Sequence, residues 1–163
     1  RAGGKAIMWK VGHSLIKSKM KEVGGVLAGE MSGHIFFKHR YFGFDDAVYS
    51  SARLLEILTH EKRPLSALLS DVPRTFASPE IRFDVPEEKK FAMVRRATEV
   101  LRAAGHSIID VDGVRVTFAD GWGLIRASNT QPALVLRFEA QSAEKLKEYR
   151  AIIEDKLRSL ESQ

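Results

Sequence analysis

The sequence predicts two successive units, a layered α/β unit over residues 1–72 and an α+β unit over 73–163, an antiparallel sheet with helices covering one face. Three observations carry this reading. Up to Lys62, apolar runs and amphipathic stretches follow one another as strand, helix, strand, loop, strand, helix. Pro64, Pro73, Pro79 and Pro86 then break the pattern and mark the boundary. Beyond them, Asp112-Gly113 between two apolar runs is a hairpin signal.

Taken in order, Ala6-Ile7-Met8-Trp9 reads as a short buried strand. After Gly12, Leu15, Ile16, Met20 and Val23 share one helical face, and Gly24-Gly25 ends the helix. Val26-Leu27-Ala28 and Ile35-Phe36-Phe37 are strands around a polar, glycine-bracketed loop. Asp45 or Asp46 caps the next helix, whose stripe is Val48, Ala52, Leu55 and Leu58. A short helical piece, Leu65 to Leu69, and an extended Glu80–Val85 follow. Phe91, Val94, Ala97, Val100 and Leu101 mark a helix closed by Gly105. Ser107–Val111 and Val114–Phe118 flank the hairpin turn, Gly121-Trp122-Gly123 turns into Leu124-Ile125, and Leu134–Glu139 is the last strand. The closing helix carries Leu146, Tyr149, Ile153 and Leu157.

Of 163 residues, 44% are hydrophobic and 29% charged, which suits a globular protein with a real core. A net charge of +5 attracts anions of any size and does not single out nucleic acid. The lysines near 17–21 and 87–90 lack the interleaved aromatics of a single-strand platform. With no cysteine, thiolate nucleophiles, thiolate-bound metals and disulfides are excluded. No apolar run is long enough to cross a bilayer and the first residues lack a signal peptide's apolar stretch, so a cytoplasmic protein is expected, with no membrane partner. The start at Arg1, just ahead of a strand-like run, reads as an interior cut in a longer chain.

Three constellations can hold a ligand. Arg126-Ala127-Ser128-Asn129-Thr130-Gln131-Pro132, followed by Arg137, offers guanidinium, hydroxyl, amide and turn N–H donors suited to one phosphate. The same composition also serves a polar hairpin that satisfies its own backbone, and Glu139 can be the partner of Arg137. In Gly29-Glu30-Met31-Ser32-Gly33-His34, Glu30 can accept from vicinal hydroxyls, Ser32 can donate or accept, and His34 can bind an oxygen or exchange a proton. Lys10, Gly12, His13, Ser14 and Lys17 stand where a strand meets a helix start, which favours anions. His13, His34 and His39 have no recognisable ligand spacing, and no metal site is expected.

These segments resemble the bacterial phosphomannomutase/phosphoglucomutase branch of the α-D-phosphohexomutase family. The resemblance rests on Trp9-Lys10-Val11-Gly12-His13-Ser14, on Gly29–His34, and on Arg126–Thr130 with Pro132 and Arg137. Val11 stands where a threonine is common, and Ala47 where relatives often have glycine. Members have four domains around a deep cleft. The resemblance implies that residues 1–72 are the carboxy-terminal part of the third domain, with a mixed sheet and helices. It makes 73–163 the fourth, with an antiparallel, helix-covered sheet like that of TATA-box-binding protein.

It further implies sugar binding by Glu30, Ser32 and His34, with His13 and Lys10 lining the cleft. Arg126, Ser128, Asn129, Thr130 and Arg137 would hold the phosphate not being transferred. The substrates implied are glucose and mannose 1- or 6-phosphates, with glucose 1,6-bisphosphate as intermediate or activator. The full enzyme, a cytoplasmic monomer whose products feed exopolysaccharide and related pathways, would carry its phosphoserine in the first domain and its Mg2+ in the second. No catalytic residue is expected in this chain, which would bind no cofactor itself and be inactive without those domains. Two other readings are an independent sugar-phosphate-binding module and, resting only on charge and a small α+β domain, a nucleic-acid-binding domain.

Overall fold

The structure, a computed structural model, describes residues 3–161. The chain divides into two compact units, Arg1–Val72 and Pro73–Gln163. In the first, helix α1 (His13–Val23) ends on Gly24 in the left-handed conformation, which the sequence meets with glycine because other residues are strained there. Strands β1 (Leu27–Gly29) and β2 (Ile35–Phe37) pair antiparallel, Ala28 opposite Phe36. Where a mixed sheet is expected, the described residues of this unit form this one two-stranded ladder. Its small core is Ile16, Met20 and Phe36, with Ala28 packed against them.

Helix α2 (Ala47–His60) is capped by Asp46, whose carboxylate accepts the Tyr49 N–H at 2.8 Å. The stripe Val48–Leu58 is not what this helix packs. Val48 is 82% exposed and Leu55 63%, whereas Tyr49 meets Phe37 with ring centroids 5.6 Å apart and the Arg53 guanidinium lies over the same ring. Thus α2 faces β2 through its 49/53 face, held also by Arg40, from the loop after β2, on Glu56, which pairs within the helix with Arg53. The expected strand at Ala6–Trp9 is also absent: a strand exists only in a ladder, and no described strand pairs with it. Trp9 instead lies under the Lys19 ammonium, 4.2 Å from its ring centre.

The second unit is built on one sheet. Its strands are β3 (Phe76–Ala77), β4 (Ile81–Asp84), β5 (Ser107–Ile109), β6 (Val114–Phe118), β7 (Gly121–Ala127) and β8 (Ala133–Ala140), all paired antiparallel. The order is β3-β8-β7-β6-β5, and β4 also pairs with β8. Ser78 bridges the break between β3 and β4: its backbone N–H donates to Phe138 O at 2.9 Å and its hydroxyl accepts the Phe138 N–H at 3.0 Å. Helices α3 (Lys90–Ala103) and α4 (Ala143–Glu161) pack on one face, where Leu101, Val114, Val116, Ile125, Leu134, Leu136, Phe138, Ile153 and Leu157 form the core.

Two turns differ from expectation. Gly121-Trp122-Gly123 is not a turn but the start of β7, the turn falling at Ala119-Asp120. Glycine is needed there for closeness rather than bending, since a Cβ on Gly123 would lie 2.4 Å from Ile153 Cδ1 and 3.0 Å from the Phe138 ring. The Asp112-Gly113 hairpin is present, but β5 stops at Ile109 and the loop is longer than two residues.

Two outcomes follow from this packing. Gly123→Ala should destabilise the second unit by about 1–3 kcal/mol in chemical denaturation, through overpacking, and Ile153→Val should recover part of that loss. The Tyr41 hydroxyl, then the Tyr49 N–H, hold the Asp46 carboxyl below its ordinary value. Such a group stabilises the fold above its unfolded value and ceases to as pH falls through its folded value. Amide exchange at Tyr49 should therefore quicken as pH drops from about 4 after correction for intrinsic rates, and Asp46→Asn should abolish that extra dependence.

Candidate functional site

In the first unit β2 sets the geometry. Side chains alternate across a strand, so His34 and Phe36 share a face, and an antiparallel bridge sets Asp45 opposite Phe36. The Asp45 carboxylate thereby reaches His34, with Nδ1 to Oδ2 at 2.7 Å. His13, the first residue of α1, stands T-shaped to both neighbours, its centroid 4.3 Å from His34 and 5.5 Å from Phe36. Its Nε2 lies 3.5 Å from the same Asp45 oxygen. Two sequence-selected histidines are thus together, joined by an aspartate that sequence reasoning had treated as a cap. The cap is Asp46; its neighbour points elsewhere.

The Gly29–His34 loop closes on itself. The Glu30 N–H donates to His34 O at 2.8 Å and the Gly33 N–H to Glu30 O at 3.0 Å, with Gly33 at a φ of 92°. Within this tight loop Glu30 Oε1 is buried and has no hydrogen-bond partner among the described residues. An acceptor so placed is costly unless a donor arrives from outside. Ser32 is exposed beside it, and Lys10 is exposed ahead of Gly12, taking no part in the His–His–Asp cluster.

In the second unit the turn from Ala127 to Ala133 is tightly organised. The Ser128 side chain is buried and its Oγ accepts the N–H groups of Thr130 at 3.4 Å and Gln131 at 3.2 Å, while its backbone N–H donates to Ala133 O at 2.9 Å. Asn129 and Thr130 are left exposed at the tip. Two groups that the sequence did not single out brace this loop. The Arg82 guanidinium donates to Gln131 Oε1 at 2.6 Å, and Lys90, only 2% exposed, reaches Gln131 O at 3.3 Å and Glu87 at 2.6 Å. Their signal was weak, because the long-range strand pairing and the burial that give them a role are not local.

The register decides which face the arginines share. Arg82 and Arg126 both stand opposite Val135, and Arg115 and Arg137 both stand opposite Leu124, all away from the helices. Arg126 lies 3.8 Å from Asp112. Arg115 stacks over Trp122 at 4.8 Å, and burial draws it below its ordinary value against the raising effect of Glu139. Guanidinium groups on one sheet face, next to a turn with exposed polar tips, make a positive field suited to a compact anion.

Residues 1–76 match the family model described as phosphoglucomutase/phosphomannomutase, alpha/beta/alpha domain III, and residues 80–156 match that of the phosphoglucomutase/phosphomannomutase C-terminal domain. A phosphomannomutase/phosphoglucomutase of Pseudomonas aeruginosa is 50% identical over 160 residues, 98% of this chain and 35% of that protein. A phosphoglucomutase of Neisseria gonorrhoeae is 51% identical over 142 residues, 86% of this chain and 31% of its own length. A crystal structure of a phosphoglucomutase/phosphomannomutase family protein from Burkholderia thailandensis superposes with a TM-score of 0.83 at 44% identity, covering 96% of this chain and 33% of that one. The chain therefore spans about a third of the length of these relatives.

The Ser128 hydroxyl carries a testable load. Ser128→Ala removes the acceptor for two turn N–H groups, and exchange at the Gln131 amide should accelerate roughly five- to tenfold for a bond worth about 1 kcal/mol. Amide exchange read by NMR checks this, with core amides of β7 as the unchanged reference.

Proposed function

The chain belongs to the phosphoglucomutase/phosphomannomutase family, carrying its third- and fourth-domain sequences, and from that premise we propose that it is the substrate-holding part of a phosphomannomutase/phosphoglucomutase. The whole enzyme interconverts hexose 1-phosphates and hexose 6-phosphates through a phosphoserine and a bisphosphorylated sugar, glucose 1,6-bisphosphate in the glucose case. Glu30, Ser32 and His34 bind the sugar, with His13 and Lys10 nearby. Arg126, Ser128, Asn129, Thr130 and Arg137 hold the phosphate that is not being transferred.

The observation that carries this reading is the buried Glu30 Oε1, which has no hydrogen-bond partner among the described residues, in a closed loop. A carboxylate accepts from two adjacent hydroxyls at once, and equatorial hydroxyls at positions 3 and 4 are common to glucose and mannose. For the phosphate, the Ser128 Oγ organises its turn by accepting the Thr130 and Gln131 N–H groups and keeps its own O–H to donate, so it shapes the loop and joins Asn129, Thr130 and the arginines on the ligand. Binding energy spent on the far phosphate and on the ring hydroxyls fixes the position of the reacting end.

The residues described here do not fit a magnesium site. Mg2+ takes oxygen ligands in octahedral array, whereas the cluster of possible metal ligands among the described residues is two imidazoles and one carboxylate. The phosphoserine and the ion belong, in this reading, to the first and second domains of the enzyme, respectively. Without a phosphoryl donor these 163 residues bind but do not transfer.

Titration with glucose 1-phosphate and with inorganic phosphate separates the two roles. Arg126→Ala should weaken both ligands, by about tenfold or more for the loss of a charge-assisted contact, and Glu30→Gln should weaken the sugar phosphate alone. Equal losses for both ligands in Glu30→Gln would overturn the division, and turnover of glucose 1-phosphate by the chain alone would overturn its inactivity.

A further inference from the structure

We propose that His13, His34 and Asp45 form a binding site for a borderline transition-metal ion of the zinc type. Each offers one ligand atom, and the three atoms lie within 4.8 Å of one another. Donors bound to an ion at about 2.1 Å are separated by roughly 3.0 to 3.4 Å in octahedral or tetrahedral arrangement. His13 Nε2 and Asp45 Oδ2, at 3.5 Å, lie just beyond the upper end of that spacing. His34 Nδ1, at 2.7 Å from the same oxygen, has to open by a fraction of an ångström as the ion replaces the shared proton.

The donor set selects the ion. Two imidazoles and a carboxylate suit Zn2+, Co2+ or Ni2+, and are a poor cage for Mg2+ or Ca2+. Backbone elements fix all three ligands: the start of α1, the end of the β1–β2 loop, and the bridge that holds Asp45 to Phe36. Phe36, fully buried against the His13 ring, supplies the apolar wall that limits ring rotation. Side-chain exposures of 44%, 42% and 26% for His13, His34 and Asp45 leave one side of the ion to water, an open rather than a closed coordination.

An ion seated here occupies the imidazole that the proposed function gives to the sugar, so zinc-type metals would act as competitors of substrate. The binding itself does not rest on that reading. It is measured without any sugar phosphate, on the chain first stripped of metal with a chelator. Titration with Zn2+ by calorimetry, and with Co2+ by visible absorption, should show one equivalent bound, with no response to Mg2+. His13→Ala, His34→Ala and Asp45→Asn should each weaken Zn2+ binding by at least about tenfold, while His39→Ala and His60→Ala, on exposed residues of the same unit, leave it unchanged. Absence of stoichiometric binding, or equal loss in His39→Ala and His34→Ala, would overturn the site. Circular dichroism checks each variant's fold. Should Asp45→Asn unfold the unit, His13→Ala decides, since its ring is exposed at a helix start.

Discussion

The alternation of side chains across a strand is the constraint on which both candidate sites depend. In β7 and β8 it sends Ile125, Leu134, Leu136 and Phe138 under the helices and Arg126 and Arg137 to the other face. In the first unit it sets His34 and Phe36 on one face of β2 and, through a single bridge, brings Asp45 beside them. A slip of one residue in either ladder would exchange core for site. The buried apolar set therefore specifies the geometry of the two candidate sites as well as the stability.

Register in turn is pinned by groups that make few hydrophobic contacts. Ser78 uses its N–H and its hydroxyl on the two polar backbone groups of Phe138, carrying the β8 edge across the break between β3 and β4. Gly123 lets α4 approach close enough for Ile153 to fill the core. Arg82, from β4, then meets Gln131 because β4 is held on β8 two residues beyond that loop. Packing decisions in the sheet are thus transmitted to the Ala127–Ala133 turn through ordinary ladder bonds.

Local signals in the sequence foretold most elements. Gly24 after α1, an aspartate ahead of α2, the glycine after α3 and the run Leu134–Glu139 each state a cap, a stop or a strand by chemistry that acts within a few residues. The candidate site residues Glu30, His34, Arg126 and Ser128 stand out for a different reason, since polar groups stand in glycine-bracketed or turn-forming runs between apolar strands. What was not legible is non-local. Asp45 and Asp46 are indistinguishable as caps until the bridge to Phe36 takes one of them away, and Lys90 reads as a solvated lysine until Gln131 O comes within reach.

The apolar stripe of α2 shows the same limit from the other side. Periodicity identifies Val48, Leu55 and their neighbours as a face to be buried, but burial requires a surface opposite, and the described residues place β2 against Tyr49 and Arg53 instead. Among the described residues the first unit accordingly has a core of three buried apolar side chains, Ile16, Met20 and Phe36, where the second has a continuous core under two helices. Its candidate ligand groups are fixed less by hydrophobic packing than by short polar and aromatic contacts: Glu30 with His34, His34 with Asp45, His13 with Phe36. Such contacts are individually weak and hold geometry only cooperatively. An occupant that binds several of those groups at once, a sugar at Glu30 and His34 or an ion among His13, His34 and Asp45, would stabilise this unit by mass action more than it could the second.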